Sequence, residues 1–331
     1  MVGAESHAVI AAAAHTLTVG GEVVRNFQQD QQNYDQTTDT GEKDPEGIYL
    51  DDERDYWSWG LFAQDEFPLG ERLRVTLGGR YDHYESFGGT FNPRAALVWS
   101  PLEATAVKLL YGTAFRAQNA YERYYGDGDE YKQNPDLDPE RIATYELVLE
   151  QKLSSVWRFS AGGFHYRIED VISLVEDPAD GLFLYDNTGE LKATGVEFEA
   201  SGTWANGFQA VASWTWQEVR DEETDDTVAN STGHLAKARA LAPIFSRKLL
   251  LGAEVRYVGS RETVQGGEAG SYTLVNATLS TAAGLLGPVE LALSAYNLFD
   301  ADADDPTGDD FVADKVPQYG RTFAARATVR F

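Results

Sequence analysis

The chain has 331 residues, a formal net charge of −26 and no cysteine. The acidic balance opposes nucleic-acid binding, which needs clustered Lys and Arg against phosphate, and the lack of cysteine removes any disulfide framework or CxxC metal site. No run approaches the roughly 18 to 20 apolar residues of a membrane-spanning helix; the longest candidate, residues 7–17, is short and has no basic flank, so it reads as neither a helical span nor a signal peptide.

In chain order, about fourteen segments alternate apolar with polar or small residues: 15–26, 57–67, 72–84, 92–99, 105–116, 143–152, 157–168, 194–204, 208–218, 235–242, 248–259, 272–281, 289–299 and 320–331. Most reach the length of a tilted strand that crosses a bilayer, about ten residues, rather than the five or six common in soluble sheets. Val196, Phe198, Ala200 and Gly202 alternate with Glu197, Glu199, Ser201 and Thr203, and Phe323, Ala325, Ala327, Val329 and Phe331 alternate with Thr322, Ala324, Arg326, Thr328 and Arg330. Charge therefore keeps to one face, a condition of insertion when Arg or Lys on the lipid face costs about 2 to 4 kcal/mol at the bilayer midplane. A soluble sandwich with one solvated face gives the same alternation.

Connector length separates the two. Short connectors (68–71, 100–104, 153–156, 205–207, 243–247 and 282–288) alternate with mostly longer ones (27–55, 85–91, 117–141, 169–193, 219–234, 260–271 and 300–319). Short turns at one end and long loops at the other are the plan of a bacterial outer-membrane barrel. Five of the long loops hold 36 acidic residues against 8 Lys and Arg, a net of −28 set against −26 for the whole chain. Solvation is the plain reading of such runs. Asp302, Asp304, Asp305, Asp309 and Asp310 are the candidate calcium ligands among them, because hard cations take clustered oxygens, although they lack the EF-hand register.

The stretch 92–139 carries YGTAFRAQNAYE followed by NPDLDPE, and the chain closes with AYNLFD and PQYGRTFAARATVRF. These words resemble the barrel of the TonB-dependent outer-membrane receptors, whose usual form runs close to YG.AFRAP and NP.L.PE, then NLFD and P.YGRTF. Gln118 stands where that family usually has Pro. The resemblance covers nearly the whole chain from about residue 15, with its motifs in family order, and implies an all-β, antiparallel transmembrane β-barrel. About fourteen strands correspond to the C-terminal part of a 22-stranded barrel, with 1–14 a poorly defined segment and 15–331 the partial barrel.

The resemblance further implies a cell outer membrane of Gram-negative type, outer-membrane lipid and the barrel-assembly machinery as partners, and Phe331 as the terminal aromatic which that machinery reads. The TonB complex would act through a plug that this sequence does not show. The expected function is uptake of a scarce metal chelate, of ferric siderophore or cobalamin type. The alternatives are a passive fourteen-stranded diffusion channel or fatty-acid-type transporter, and a non-transporting surface adhesin or assembly receptor. The five histidines lie in no HExxH or similar frame and there is no GxSxG, so no enzyme is expected. Haem is demoted because 119–133 has no histidine. Arg116, Tyr121, Arg123, Tyr124 and Tyr125 are the candidate ligand vestibule, since aromatic rings with a few polar groups line such sites; an interfacial aromatic girdle is the competing reading. No cofactor is expected beyond calcium in the extracellular loops.

Overall fold

A computed structural model describes residues 1–36, 43–127, 129–308 and 311–331. The described residues form β1 (Val2–Ala12), β2 (His15–Asn26), β3 (Gln31–Gln36), β4 (Lys43–Asp52), β5 (Tyr56–Pro68), β6 (Leu73–Tyr84), β7 (Gly88–Leu102), β8 (Thr105–Arg116), α1 (Ala120–Tyr124), β9 (Glu140–Lys152), β10 (Trp157–Glu169), β11 (Ile172–Glu176) and β12 (Phe183–Asn187). There follow β13 (Leu191–Thr203), β14 (Gln209–Asp221), β15 (His234–Ile244), β16 (Leu249–Val258), β17 (Arg261–Glu262), β18 (Glu268–Ala269), β19 (Tyr272–Thr281), β20 (Val289–Tyr296), β21 (Asp304–Pro306), β22 (Lys315–Pro317) and β23 (Thr322–Val329).

Fifteen long strands follow one another as hydrogen-bonded neighbours in chain order, with β1 and β23 at the two ends of that order. The expected fourteen are one too few. The addition is β1, inside the 1–14 segment expected to be poorly defined, and it pairs with β2 from Val2↔Arg25 to Ala12↔His15. Its run of alanines hides the two-residue period, because small apolar side chains suit either face. The long connectors also hold four two-stranded hairpins, β3-β4, β11-β12, β17-β18 and β21-β22, where only loops were expected.

Two units are compact. The first comprises Met1–Trp99, Leu109–Tyr145 and Tyr166–Lys192, the second Ser100–Lys108, Glu146–His165 and Ala193–Phe331. In the first, β2-β5 and β5-β6 pair along their lengths, from Thr16↔Glu66 to Asn26↔Tyr56 and from Ser58↔Tyr84 to Pro68↔Arg74. In the second, β14-β15, β15-β16 and β16-β19 repeat that antiparallel meander.

Burial decides between sandwich and barrel wall. Among the described residues the buried hydrophobics are seven, Leu50, Val75, Leu137, Val258, Ala269, Tyr272 and Ala303, whereas Leu61, Phe91, Leu147, Phe198 and Leu293 in mid-strand stand exposed. A soluble fold hides such residues. On the opposite face charges pair: Arg80 donates through Nη2 to Glu22 Oε1 at 2.6 Å and through Nε to Asp82 Oδ1 at 2.8 Å in the first unit. In the second, Lys108 Nζ donates to Glu150 Oε1 at 2.5 Å.

Candidate ligand-binding loops

The loop between β8 and β9 is built around a short, well-capped helix. Asn119 Oδ1 accepts from Glu122 N at 2.9 Å while Glu122 Oε2 accepts from Asn119 N at 2.8 Å, a reciprocal capping box that satisfies two donors the helix leaves unpaired. Tyr121 and Tyr125, one turn apart, stack with centroids 4.4 Å apart. Tyr125 meets Tyr131 edge-on at 5.6 Å, Tyr121 meets Tyr185 at 6.0 Å, and Tyr131 lies 6.0 Å from Phe183. Tyr185 and Phe183 belong to β12, so the loop and the β11-β12 hairpin share one aromatic cluster.

Backbone and ionic ties join the same two segments. Lys132 N donates to Phe183 O at 2.8 Å and Phe183 N to Glu130 O at 2.8 Å. Asn134 Nδ2 reaches Tyr185 O at 2.9 Å, and Asn187 Nδ2 reaches Asp138 O at 2.9 Å. Lys132 Nζ also bridges Asp177 and Asp180 in the hairpin turn. The Lys132 ammonium holds both carboxyls below their ordinary value. Three backbone N–H groups, those of Tyr131, Glu130 and Asp129 at 2.8, 2.9 and 3.0 Å, converge on Asp127 Oδ1, and they lower its pKa, Tyr131 N most.

The five vestibule candidates come to the same loop region with different tasks. Arg116 is fully engaged in a fork to Glu140 and a further bond to Glu122 Oε1 at 2.9 Å. Arg123 is 8% exposed; Nη1 donates to Leu137 O at 2.6 Å and Nη2 to Pro135 O, so it supports the loop from beneath. Tyr124 receives the Arg54 guanidinium over its ring at 3.6 Å and lines a cavity of about 350 Å³ with Gln29, Tyr84, Phe87 and Gln118. Tyr125 OH accepts from Asn33 Nδ2 at 2.9 Å, and Tyr121 stays 45% exposed. Burial pushes the Tyr121 and Tyr125 phenols up.

Sequence reasoning missed Asn33 and Arg54. They arrive from the 27–55 connector, and nothing local marks them. The capping box was visible as the spacing Asn119 to Glu122.

In the second unit Arg261 ties together the loops after β16 and β20. It donates to Asp305 Oδ1 at 2.8 Å, which also accepts from Tyr272 OH at 3.0 Å. Burial alone would raise the Asp305 pKa, and the Arg261 and Tyr272 hydrogen bonds outweigh it and hold the carboxyl below its ordinary value. Of the other calcium candidates, Asp304 sits in β21 and Asp302 is exposed just before it, while Asp309 and Asp310 lie outside the described residues. Among the described residues no three His, Cys, Asp or Glu side chains gather as a metal cluster. Phe331 follows β23 as a fully exposed terminal aromatic.

A face-segregated sheet of bilayer-length strands, with short turns at one end and structured loops at the other, defines the wall of an outer-membrane receptor-type β-barrel. Residues 4–298 match the family described as TonB dependent receptor-like, beta-barrel, and the chain belongs to it. Its place is the outer membrane, and the family consists of receptors and transporters, not enzymes. The chain is 28% identical over 270 residues to the iron-regulated outer membrane virulence protein of Vibrio cholerae serotype O1, covering 73% of this chain and 40% of that protein. It is 26% identical over 299 residues to the ferrichrome outer membrane transporter/phage receptor of Escherichia coli K12, covering 82% and 38%. The chain thus spans about two fifths of the length of these curated relatives. Its fold superposes on a ferric enterobactin receptor of Pseudomonas aeruginosa with a TM-score of 0.80 at 18% identity, covering 99% of this chain and 53% of that one.

Proposed function

We propose that the chain forms ligand-gathering barrel wall and loops of a receptor that takes up a scarce metal chelate, of ferric siderophore or cobalamin type, with energy delivered through TonB. The observation that carries this reading is the aromatic cluster of Tyr121, Tyr125, Tyr131, Phe183 and Tyr185, joined to the Tyr124 cavity on the same short helix. Rings fixed by stacking and hydrogen bonds offer contact area at low entropic cost, as a site for a bulky chelate requires. The ferrichrome transport named for the Escherichia coli relative supports the same class of ligand.

The test uses the full-length receptor that contains this chain, expressed in an outer membrane with and without the energy-coupling system, and follows accumulation of radiolabelled ferric chelates and cobalamin. Energy-dependent uptake that weakens up to about tenfold in affinity on Tyr124→Ala is expected, from the worth of one aromatic contact. Uptake unchanged by loss of TonB would establish the passive channel instead.

A further inference from the structure

On the apolar face of the second unit, three small residues on neighbouring strands make a groove. Ala161 of β10, Ala200 of β13 and Ala212 of β14 line it together with Phe159, Phe198 and Trp214, and its open volume is about 440 Å³. Phe198 and Trp214 stack with centroids 5.9 Å apart. The groove lies near the short-turn end, a few residues from the connectors after β9 and β13.

Just beyond it the turn residues form an aromatic rim. Trp157 meets Trp204 edge-on at 5.0 Å, and Trp204 meets Phe208 at 4.9 Å. Gly202 makes room for this rim, since a Cβ there would sit 2.5 Å from the Trp204 ring. The next turn adds charge. Phe245, Ser246 and Arg247 have consecutive left-handed φ values of 47°, 57° and 66°, a strained course for residues with side chains and one that persists only where the surroundings hold it. It leaves Phe245 73% exposed beside Arg247 and Lys248, and Arg247 Nη2 donates to Ala205 O at 3.1 Å, against the rim turn. In a chain of net −26 this turn carries two cations and no acid.

We propose that this groove and turn hold one anionic phospholipid of the periplasmic leaflet, with an acyl chain laid over Ala161, Ala200 and Ala212 and the phosphate beside Arg247 and Lys248. The lipid-facing wall is already in contact with hydrocarbon, the aromatic rim sits where rings mark a headgroup boundary, and short turns belong to the periplasmic side. Arg247 and Lys248 add the charge complementarity that selects an anionic headgroup over a zwitterionic one.

The experiment is native mass spectrometry of the full chain released from bilayers holding equal phosphatidylglycerol and phosphatidylcholine, and separately from bilayers containing lipopolysaccharide. One retained phosphatidylglycerol is expected, preferred by about fivefold for each cationic residue. Ala200→Phe, which fills the groove from the lipid side, should abolish retention with circular dichroism unchanged. Arg247→Gln with Lys248→Gln should keep a retained lipid and lose the preference. Equal retention of both phospholipids by the parent, undiminished retention in Ala200→Phe, or retention of lipopolysaccharide in place of phospholipid would each overturn the assignment.

Discussion

Arg116 and Glu140, the last residue of β8 and the first of β9, form a two-pronged pair, with Nε 2.6 Å from Oε2 and Nη2 2.8 Å from Oε1. The pair closes the neck of the loop that carries α1. Glu140 Oε1 also accepts from Ile172 N at 3.0 Å, so the neck is tied to the start of the β11-β12 hairpin as well. Arg116→Ala should loosen the loop by about 1 kcal/mol, the scale of a well-formed but partly exposed ion pair. Faster hydrogen exchange at Tyr125 and Lys132, with unchanged exchange in β5 and β6, is the measurement that checks it.

Acid should open the same loops. The Asp127, Asp177 and Asp180 carboxyls all lie below their ordinary value when folded. A depressed folded pKa contributes stability that is fully present above the unfolded value of about 3.9 and is lost as pH falls through the folded one. Protease resistance of residues 117–139 and 169–193 is therefore expected to hold from pH 8 to about 5 and to fall below about 4. Asp127→Asn should lose part of that protection at neutral pH and flatten the profile.

Face assignment can be tested at adjacent residues. Leu147 is 55% exposed on the apolar face of β9, and Glu146 belongs to the polar face. Leu147→Arg should destabilise the membrane-folded state by about 2 to 4 kcal/mol, whereas Glu146→Arg should cost far less. Urea titrations of the chain folded in lipid vesicles would give both values, and equal costs would contradict the assignment.

Orientation follows from connector length. Cysteines introduced at Asp180 and Asp225 should react with a membrane-impermeant maleimide on intact cells. Those at Asn206 and Ser246 should react only after the outer membrane is opened. Labelling at Asn206 in intact cells would invert the topology.

Ligand charge can be read from salt. The five acidic loops carry a net of −28, and such a field is screened over about 8 to 10 Å at physiological ionic strength. A neutral or cationic chelate, or one bridged by calcium, is expected to bind the full-length receptor as well or better when salt is lowered. A polyanionic chelate should bind more weakly at low salt, and isothermal titration across ionic strengths distinguishes them.

Alternation made most of the long strands readable, because residues such as Glu197 and Glu199 mark one face and Phe198 and Ala200 the other. β1 escaped because its alanines mark neither. The β11-β12 hairpin could have been found, since Asp177, Pro178, Ala179, Asp180 and Gly181 form a turn cluster between two β-rich runs. Tyr121 and Tyr124 were legible as loop aromatics. The supporting task of Arg123 was not, because a guanidinium spent on Leu137 O and Pro135 O has no local signature. Arg54 over Tyr124 is a contact between distant connectors, which no window of sequence reports.

The scarcity of buried hydrophobic residues inverts the usual arithmetic of truncation. In a soluble protein, trimming a leucine costs the transfer of its atoms and also the void left behind, since neighbouring side chains relax only partly. Leu61, Leu147 and Leu293 stand exposed on the outer wall, more than half open on that side. Fluid acyl chains flow into whatever space a smaller side chain vacates, so the void term falls away. Away from the alanine groove and the Gly202–Trp204 contact, the outer wall is therefore free to drift among apolar residues of different size, and shape is held under constraint where protein meets protein: the paired charges of the polar face, the Arg261 tie and the Arg123 bond to Leu137 O.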